Sequence, residues 1–205
     1  MSIKRDLEFI YEMGTLRNIK RAWTQMLGPN VANLAEHHFR VVWLALILAK
    51  NEKVKNTDKV MKMAMVHDIV EGRAGDVHYI SRQYTKRNEK LAIEDIVKDT
   101  SLSEFASIWQ EYEERKSIEA KVVKDADNLD VDLELMELAW QGNNIREQFR
   151  DHRGMAIYNS LYTKSAKKLW KEIQKSNPHD WHLRGRNRFN AGDWKKYNKK
   201  SSQKI

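Results

Sequence analysis

Apolar positions recur at helical spacing along most of the chain, and no stretch alternates apolar and polar residues over a strand's length. Leu, Ala, Met, Glu and Lys dominate the long intervals between a few clusters of glycine and proline, as helices prefer. The pattern predicts helices near 2–13, 16–27, 31–50, 57–71, 86–98, 102–115, 117–140 and 155–174. Asn30 stands where a cap for the third belongs, and Thr57 or Asp58 where one belongs for the fourth. Gly72 to Tyr84, with two glycines and no apolar stripe, reads as a loop, and Pro178 closes the last helix. No repeat of solenoid period is present, and the expected fold class is all-α.

The longest strictly apolar run, Val41 to Ala49, falls well short of the roughly 18 residues a membrane span needs, so it reads as a buried helix segment. Most methionines and the tryptophans Trp43, Trp109, Trp140 and Trp170 read as core, with Met61, Met63 and Met65 packing the helix that leads into His67-Asp68. The absence of cysteine excludes disulfides, thiolate metal sites and cysteine nucleophiles. The first residues carry no apolar leader, and a cytoplasmic protein without membrane contact is the expectation.

Charge changes the picture only at one end. The chain carries 37 Lys/Arg against 29 Asp/Glu, a net +8, which suggests a polyanionic partner. Residues 176–205 hold eight of those bases and two of those acids, so +6 of the +8 lies there and the body is close to neutral. The expected division is a body over 1–176 and a basic-aromatic tail over 177–205. In the tail, His182 to Phe189 and Trp194 to Tyr197 interleave cations with rings that could neutralise phosphates and stack bases. A solubilising or oligomer-contacting tail is the plainer alternative.

Three helices place metal-capable side chains among hydrophobes. The third carries Glu36-His37-His38, and both histidines have apolar neighbours one turn away, so periodicity does not choose between them. The fourth runs into His67-Asp68, with Glu71 at i+4 and i+3 on the same face. The seventh carries Asp127 among Asp125, Asp130 and Asp132, a run that ordinarily marks a solvated face. One His, an adjacent His-Asp and a distant Asp form a nitrogen and oxygen set suited to a divalent transition metal such as Mn, Fe, Co, Ni or Zn. A second His-Asp pair, His179-Asp180, lies in a polar stretch beside Pro178 and is given no role.

The blocks Asn33 to Arg40, Ala64 to Asp76 and Ala120 to Asp127 together resemble the HD-domain superfamily of metal-dependent phosphohydrolases, in particular its small 5′-deoxynucleotidase branch. The resemblance spans about residues 15 to 140, and its His-Asp-x-x-Glu-x-x-x-Gly-Asp block is specific. It implies a helical bundle with the metal held between core helices by His37, His67, Asp68 and Asp127. It implies Glu71 as general acid or base, and Asp76 as a carboxylate organising substrate and water. The family's upstream Arg-Trp pair, for phosphate and nucleoside, is matched by Arg21-Ala22-Trp23, with one residue intervening. The implied substrate is a deoxynucleoside 5′-monophosphate and the implied assembly a homodimer. The competing expectations are HD-type hydrolysis of nucleoside triphosphates or phosphodiesters on the same site, and a nucleic-acid-binding module acting through the tail.

Overall fold

In the computed structural model, residues 2–28 and 30–183 are described, and every regular element among them is helical apart from an isolated antiparallel bridge between Lys20 and Asn33. The all-α expectation is borne out. The chain divides into Met1–Lys175 and Ser176–Ile205. The longer helices of the first unit are α1 (Ile3–Gly14), α2 (Leu34–Asn51), α3 (Thr57–Val66), α4 (Glu89–Val97), α5 (Phe105–Glu114), α6 (Ile118–Trp140), α7 (Ile145–His152) and α8 (Lys164–Ile173). In the second unit the described part contains one short turn of helix, Asp180–Leu183. Most of the predicted tail, residues 184–205, lies outside the described residues.

Capping explains where several helices begin. α2 starts at Leu34, not 31, because Asn33 and Glu36 close a reciprocal box: Glu36 N donates to Asn33 Oδ1 (3.0 Å) and Asn33 N donates to Glu36 Oε2 (2.9 Å). Asn56, rather than Thr57 or Asp58, caps α3 by accepting from Lys59 N. The predicted helix over 16–27 resolves into a 3₁₀ turn, Thr15–Asn18, and a short helix, Thr24–Leu27. The predicted helix over 155–174 is broken at Leu161 to Thr163, where Thr163 becomes the cap of α8. α7 was not foreseen, and it continues into a π-helical turn over Arg153–Ile157.

α2 packs on both α3 and α6, which also touch each other. Val41, Leu44, Ala45 and Leu48 of α2 meet Val60, Met63 and Ala64 of α3 and Val122, Val123, Ala126 and Leu129 of α6 in one apolar cluster. A second cluster joins Leu34 and Val66 to Ile69, Val70, Ile93, Ile96, Phe105 and Trp109. Burying these surfaces supplies the main drive for packing, at about 25 cal/mol per Å². Two expectations of core packing are corrected. Trp43 and Trp140 stand 56% and 51% exposed, and Met61 and Met65 also face outward while Met63 alone of that trio is enclosed. They sit on the faces of α2, α3 and α6 turned away from the shared cluster.

The carboxylate run of α6 is also not a solvated face. Asp125, Asp127, Asp130, Asp132 and Glu134 are all buried, and each has a partner. Asp125 accepts from Tyr162 N, Thr163 N and Thr163 Oγ1. Asp132 takes a two-pronged bond from Arg153 at 2.7 and 2.8 Å, and Glu134 accepts from Ala32 N. A buried charge persists only when paired in this way, so the run ties α6 to segments on several sides.

Candidate metal centre

The C-terminal end of α3 tightens as it enters the site. After Val66, bonds three residues apart replace the α-helical ladder (Ile69 N to Val66 O, Glu71 N to Asp68 O, Gly72 N to Ile69 O) before helix resumes at Glu71–Ala74. This turn presents His67 and Asp68 toward His37 of α2 and Asp127 of α6. One ligand atom from each of the four lies within 4.8 Å of all the others. His37 Nε2 is 3.2 Å from His67 Nε2, 3.4 Å from Asp127 Oδ1 and 3.7 Å from Asp68 Oδ2. His38, which periodicity left as an equal candidate, is outside the cluster. Its ring tilts over His67 with centroids 4.5 Å apart, and its buried Nε2 meets no hydrogen-bond partner.

Both imidazoles are oriented from behind. His37 Nδ1–H donates to Asp130 Oδ2 at 2.7 Å, and His67 Nδ1–H donates to the Ala64 carbonyl at 2.8 Å. In the neutral ring with Nδ1 protonated, the form that binds a metal, each Nε2 offers a lone pair, and the two nitrogens converge between two carboxylates. Burial works against a charge on His37, yet its bonds to Asp127, Asp130 and Asp68 hold it well above the usual imidazole range. Burial, joined by the His37 charge, pushes His67 down. Against their own burial, Asp68 is held well below the carboxylate range chiefly by His67 and His37, and Asp127 chiefly by Lys124 and His37. The cluster therefore calls for positive charge at its centre.

Beside it lie the four other residues implied by the resemblance. Arg21 sets Nη1 3.5 Å from Asp68 Oδ2 and 3.7 Å from Glu71 Oε2, and Nε 3.6 Å from Asp76 Oδ2. Asp76 Oδ2 also accepts from Ala22 N at 2.9 Å, fixing the backbone between Arg21 and Trp23. Glu71 is 6% exposed and its Oε2 has no hydrogen-bond partner. Burial first, then the charges of Asp68 and Asp76, push its carboxyl up to about 9. Trp23 lines an apolar cavity of about 420 Å³ with His78, Val131, Leu135, Phe149 and His152. The residue between Arg21 and Trp23 turns neither away: one reaches the carboxylates and the other a cavity.

A family model described as HD domain matches residues 13–176. The chain belongs to the HD-domain family. Among curated proteins, this HD-domain protein is similar to the 5′-deoxynucleotidase HDDC2 of Dictyostelium discoideum, with 31% identity over 157 residues that make up 70% of this chain and 83% of that one. It is similar also to the 5′-deoxynucleotidase HDDC2 of Danio rerio, with 30% identity over 158 residues, 72% of this chain and 78% of the relative. It thus falls in the 5′-deoxynucleotidase branch of the family. Among solved structures, a Pyrococcus horikoshii protein matches with a TM-score of 0.67 and 25% identity, covering 82% of this chain and 98% of the other. No helix among the described residues is long and apolar enough to cross a membrane.

The donor set of this HD-domain protein fits a divalent cation. Two imidazole lone pairs and two ionised carboxylates converge, and the second ring nitrogens are anchored as metal-binding histidines require. Sequence reasoning passed over the anchors themselves. Asp130 sits one turn beyond Asp127 on α6, a spacing that could have marked it, and its Oδ1 accepts from Arg40 Nε, which Glu137 braces with two further bonds. Arg87, Arg115 and Lys124 line a second, polar cavity against His67, Asp68 and Glu71. Arg115 precedes α6 and Arg87 lies in the segment read as helix, and nothing in their local sequence links either to the centre.

Proposed function

We propose that this HD-domain protein is a metal-dependent 5′-nucleotidase that releases phosphate from deoxynucleoside 5′-monophosphates. The observation that carries the reading is the pairing of Arg21, set among Asp68, Glu71 and Asp76, with Trp23, two residues on and facing the 420 Å³ cavity. One short segment thereby offers a phosphate contact beside the carboxylates and a ring for a nucleoside. The similarity to curated 5′-deoxynucleotidases supports the same substrate class.

His37, His67, Asp68 and Asp127 would hold the ion. A divalent ion bound there supplies Lewis-acid charge to a phosphoryl oxygen and lowers the pKa of a bound water. Arg21 offers fixed donors to the phosphoryl oxygens, where charge gathers in the transition state. Glu71, buried beside Asp68 and Asp76, is placed to deliver a proton to the departing 5′-oxygen as the bond to phosphorus breaks. Asp76 holds Arg21 and Ala22 in register, and in this reading it organises the substrate and its attacking water. Trp23 provides the wall against which the nucleoside is placed.

The test is phosphate release from a panel of nucleotides by protein loaded with Co or Mn. Turnover of 5′-monophosphates that disappears in Asp68→Ala supports the reading. No turnover in the wild type, or turnover retained in Asp68→Ala, refutes it. Release of tripolyphosphate, pyrophosphate or a monophosphate product would point instead to triphosphate or diester cleavage.

Three companion proposals accompany it. A homodimer is supported by the exposed strip of Phe39, Trp43 and Ile47 on α2 beside Met61 and Met65 on α3, and light scattering tests it. Residence in the cytoplasm is checked by cell fractionation. A nucleic-acid contact through residues 177–205 rests on their interleaved bases and rings. Deleting them abolishes salt-sensitive RNA or DNA retention while sparing hydrolysis if that role is real.

A further inference from the structure

The polar cavity beside His67 and Asp68 shares no lining residue with the apolar one beside Trp23. Its volume is about 140 Å³, a third of the 420 Å³ beside Trp23, a size that suits a small anion. Arg82, Arg87, Arg115 and Lys124 line it, brought from the segment after Asp76, the end of α5 and the second turn of α6. The acids among its walls are Asp68, Glu71, Glu89 and Glu113. All four already engage arginines: Arg87 Nη2 is 2.6 Å from Glu89 Oε1 and its Nη1 is 3.9 Å from Glu71 Oε1, Arg115 Nη2 is 3.3 Å from Glu113 Oε1, and Arg21 reaches Asp68 and Glu71. Lys124 Nζ rests on Asp127 at 2.7 Å.

What remains unsatisfied at this cavity is specific. Arg115 Nη1 is buried and has no hydrogen-bond partner, and Trp109 Nε1, a donor from the same lining, is in the same condition. A buried nitrogen donor without an acceptor is costly. A group with several acceptor oxygens would satisfy both. Arg115 also caps the end of α5. Its backbone is left-handed, at φ 53°, where glycine is the easy choice. Its guanidinium carbon lies 3.4 Å from the Tyr112 ring centroid, and Tyr112 in turn meets His67 edge-on with centroids 5.7 Å apart.

We propose that this cavity is a binding site for inorganic phosphate, with Arg115 as its principal donor and Arg87 and Lys124 supplying charge. A planar fork stacked on an aromatic ring is a fitting receptor for a tetrahedral oxyanion. That the anion bound in the cell is the reaction's own product rests on the phosphohydrolase reading. The binding itself does not.

Two measurements with orthophosphate test the site. Calorimetric titration at low ionic strength is expected to show binding that weakens about tenfold or more in Arg115→Gln, and in the same direction in Arg87→Gln. In the wild type, orthophosphate is expected to protect Arg115 from phenylglyoxal, read on its peptide by mass spectrometry, which needs no variant to fold. Equal affinity in Arg115→Gln, or an Arg115 modified at the same rate with and without phosphate, overturns the proposal. Phosphate binding that depends on Arg115 in a protein without nucleotide turnover leaves the site standing and removes the nucleotidase reading. Turnover with no Arg115-dependent phosphate binding does the reverse.

Discussion

Asp130→Asn keeps the shape of a side chain that is 1% exposed while removing the charge shared by His37 and Arg40. The carboxylate serves both neighbours at once, with Oδ2 on His37 Nδ1 and Oδ1 on Arg40 Nε. An amide has one acceptor oxygen and one donor nitrogen, so it can serve one neighbour and must turn N–H groups toward the other. Arg40 keeps bonds of 2.8 and 2.9 Å to Glu137, so the loss falls mainly where His37 is oriented. A hydrogen bond to a charged group is worth about 1.5–3 kcal/mol, and with Arg40 still braced we expect a total near 2–3 kcal/mol. In a body of this size each kcal/mol moves the midpoint by about 2–4 °C, so metal-free protein should melt about 4–12 °C lower. Metal affinity should fall about 10–100-fold, because the imidazole is no longer held with Nε2 free for an ion. Calorimetry of chelator-treated protein and competition with a chromophoric chelator measure the two effects. A variant with wild-type metal affinity would refute the orienting role of Asp130, whatever its melting point.

Glu71→Gln should lower kcat by about 10²–10⁴-fold if the proton it carries is used, measured as phosphate release by metal-loaded enzyme. The same substitution has an opposite effect on stability. Unfolded Glu71 ionises near 4.5 and folded Glu71 near 9, so across that interval unfolding releases a proton and wild-type stability falls as pH rises. Melting curves of metal-free protein should therefore show Glu71→Gln gaining on the wild type from pH 5 toward pH 9. Asp125→Ala removes the acceptor for Tyr162 N, Thr163 N and Thr163 Oγ1 at the start of α8, and should cost about 3 kcal/mol or more in denaturant titration while leaving metal affinity unchanged. Trp23→Ala should raise KM for a 5′-monophosphate by the equivalent of about 1–3 kcal/mol with a smaller change in kcat, as expected for a lost stacking wall.

The helices and the chemistry-bearing motifs were legible for different reasons. α2 and α6 repeat their apolar residues at helical spacing over many turns, a local signal that survives in any tertiary setting. Their ends were less legible, because capping depends on which of several polar residues closes a bond. Asn33 outcompetes Asn30 only through the reciprocal contact with Glu36. The break before α8 is fixed by Asp125, 38 residues away from Thr163, and no local pattern announces it.

By itself, then, the sequence determined an all-helical body and the order of a His, a His-Asp pair with Glu71, and a distant Asp. The motif resemblance carried these to named positions. Tertiary structure alone decided that the acids of α6 are buried and paired rather than solvated. It also decided that Arg115 and Arg87 meet at a cavity beside His67. The physical reason is the range of the forces involved. Periodicity and capping act within a few residues, whereas a buried charge is tolerated only where partners from distant segments arrive, and which partners arrive is set by packing α2 against α3 and α6.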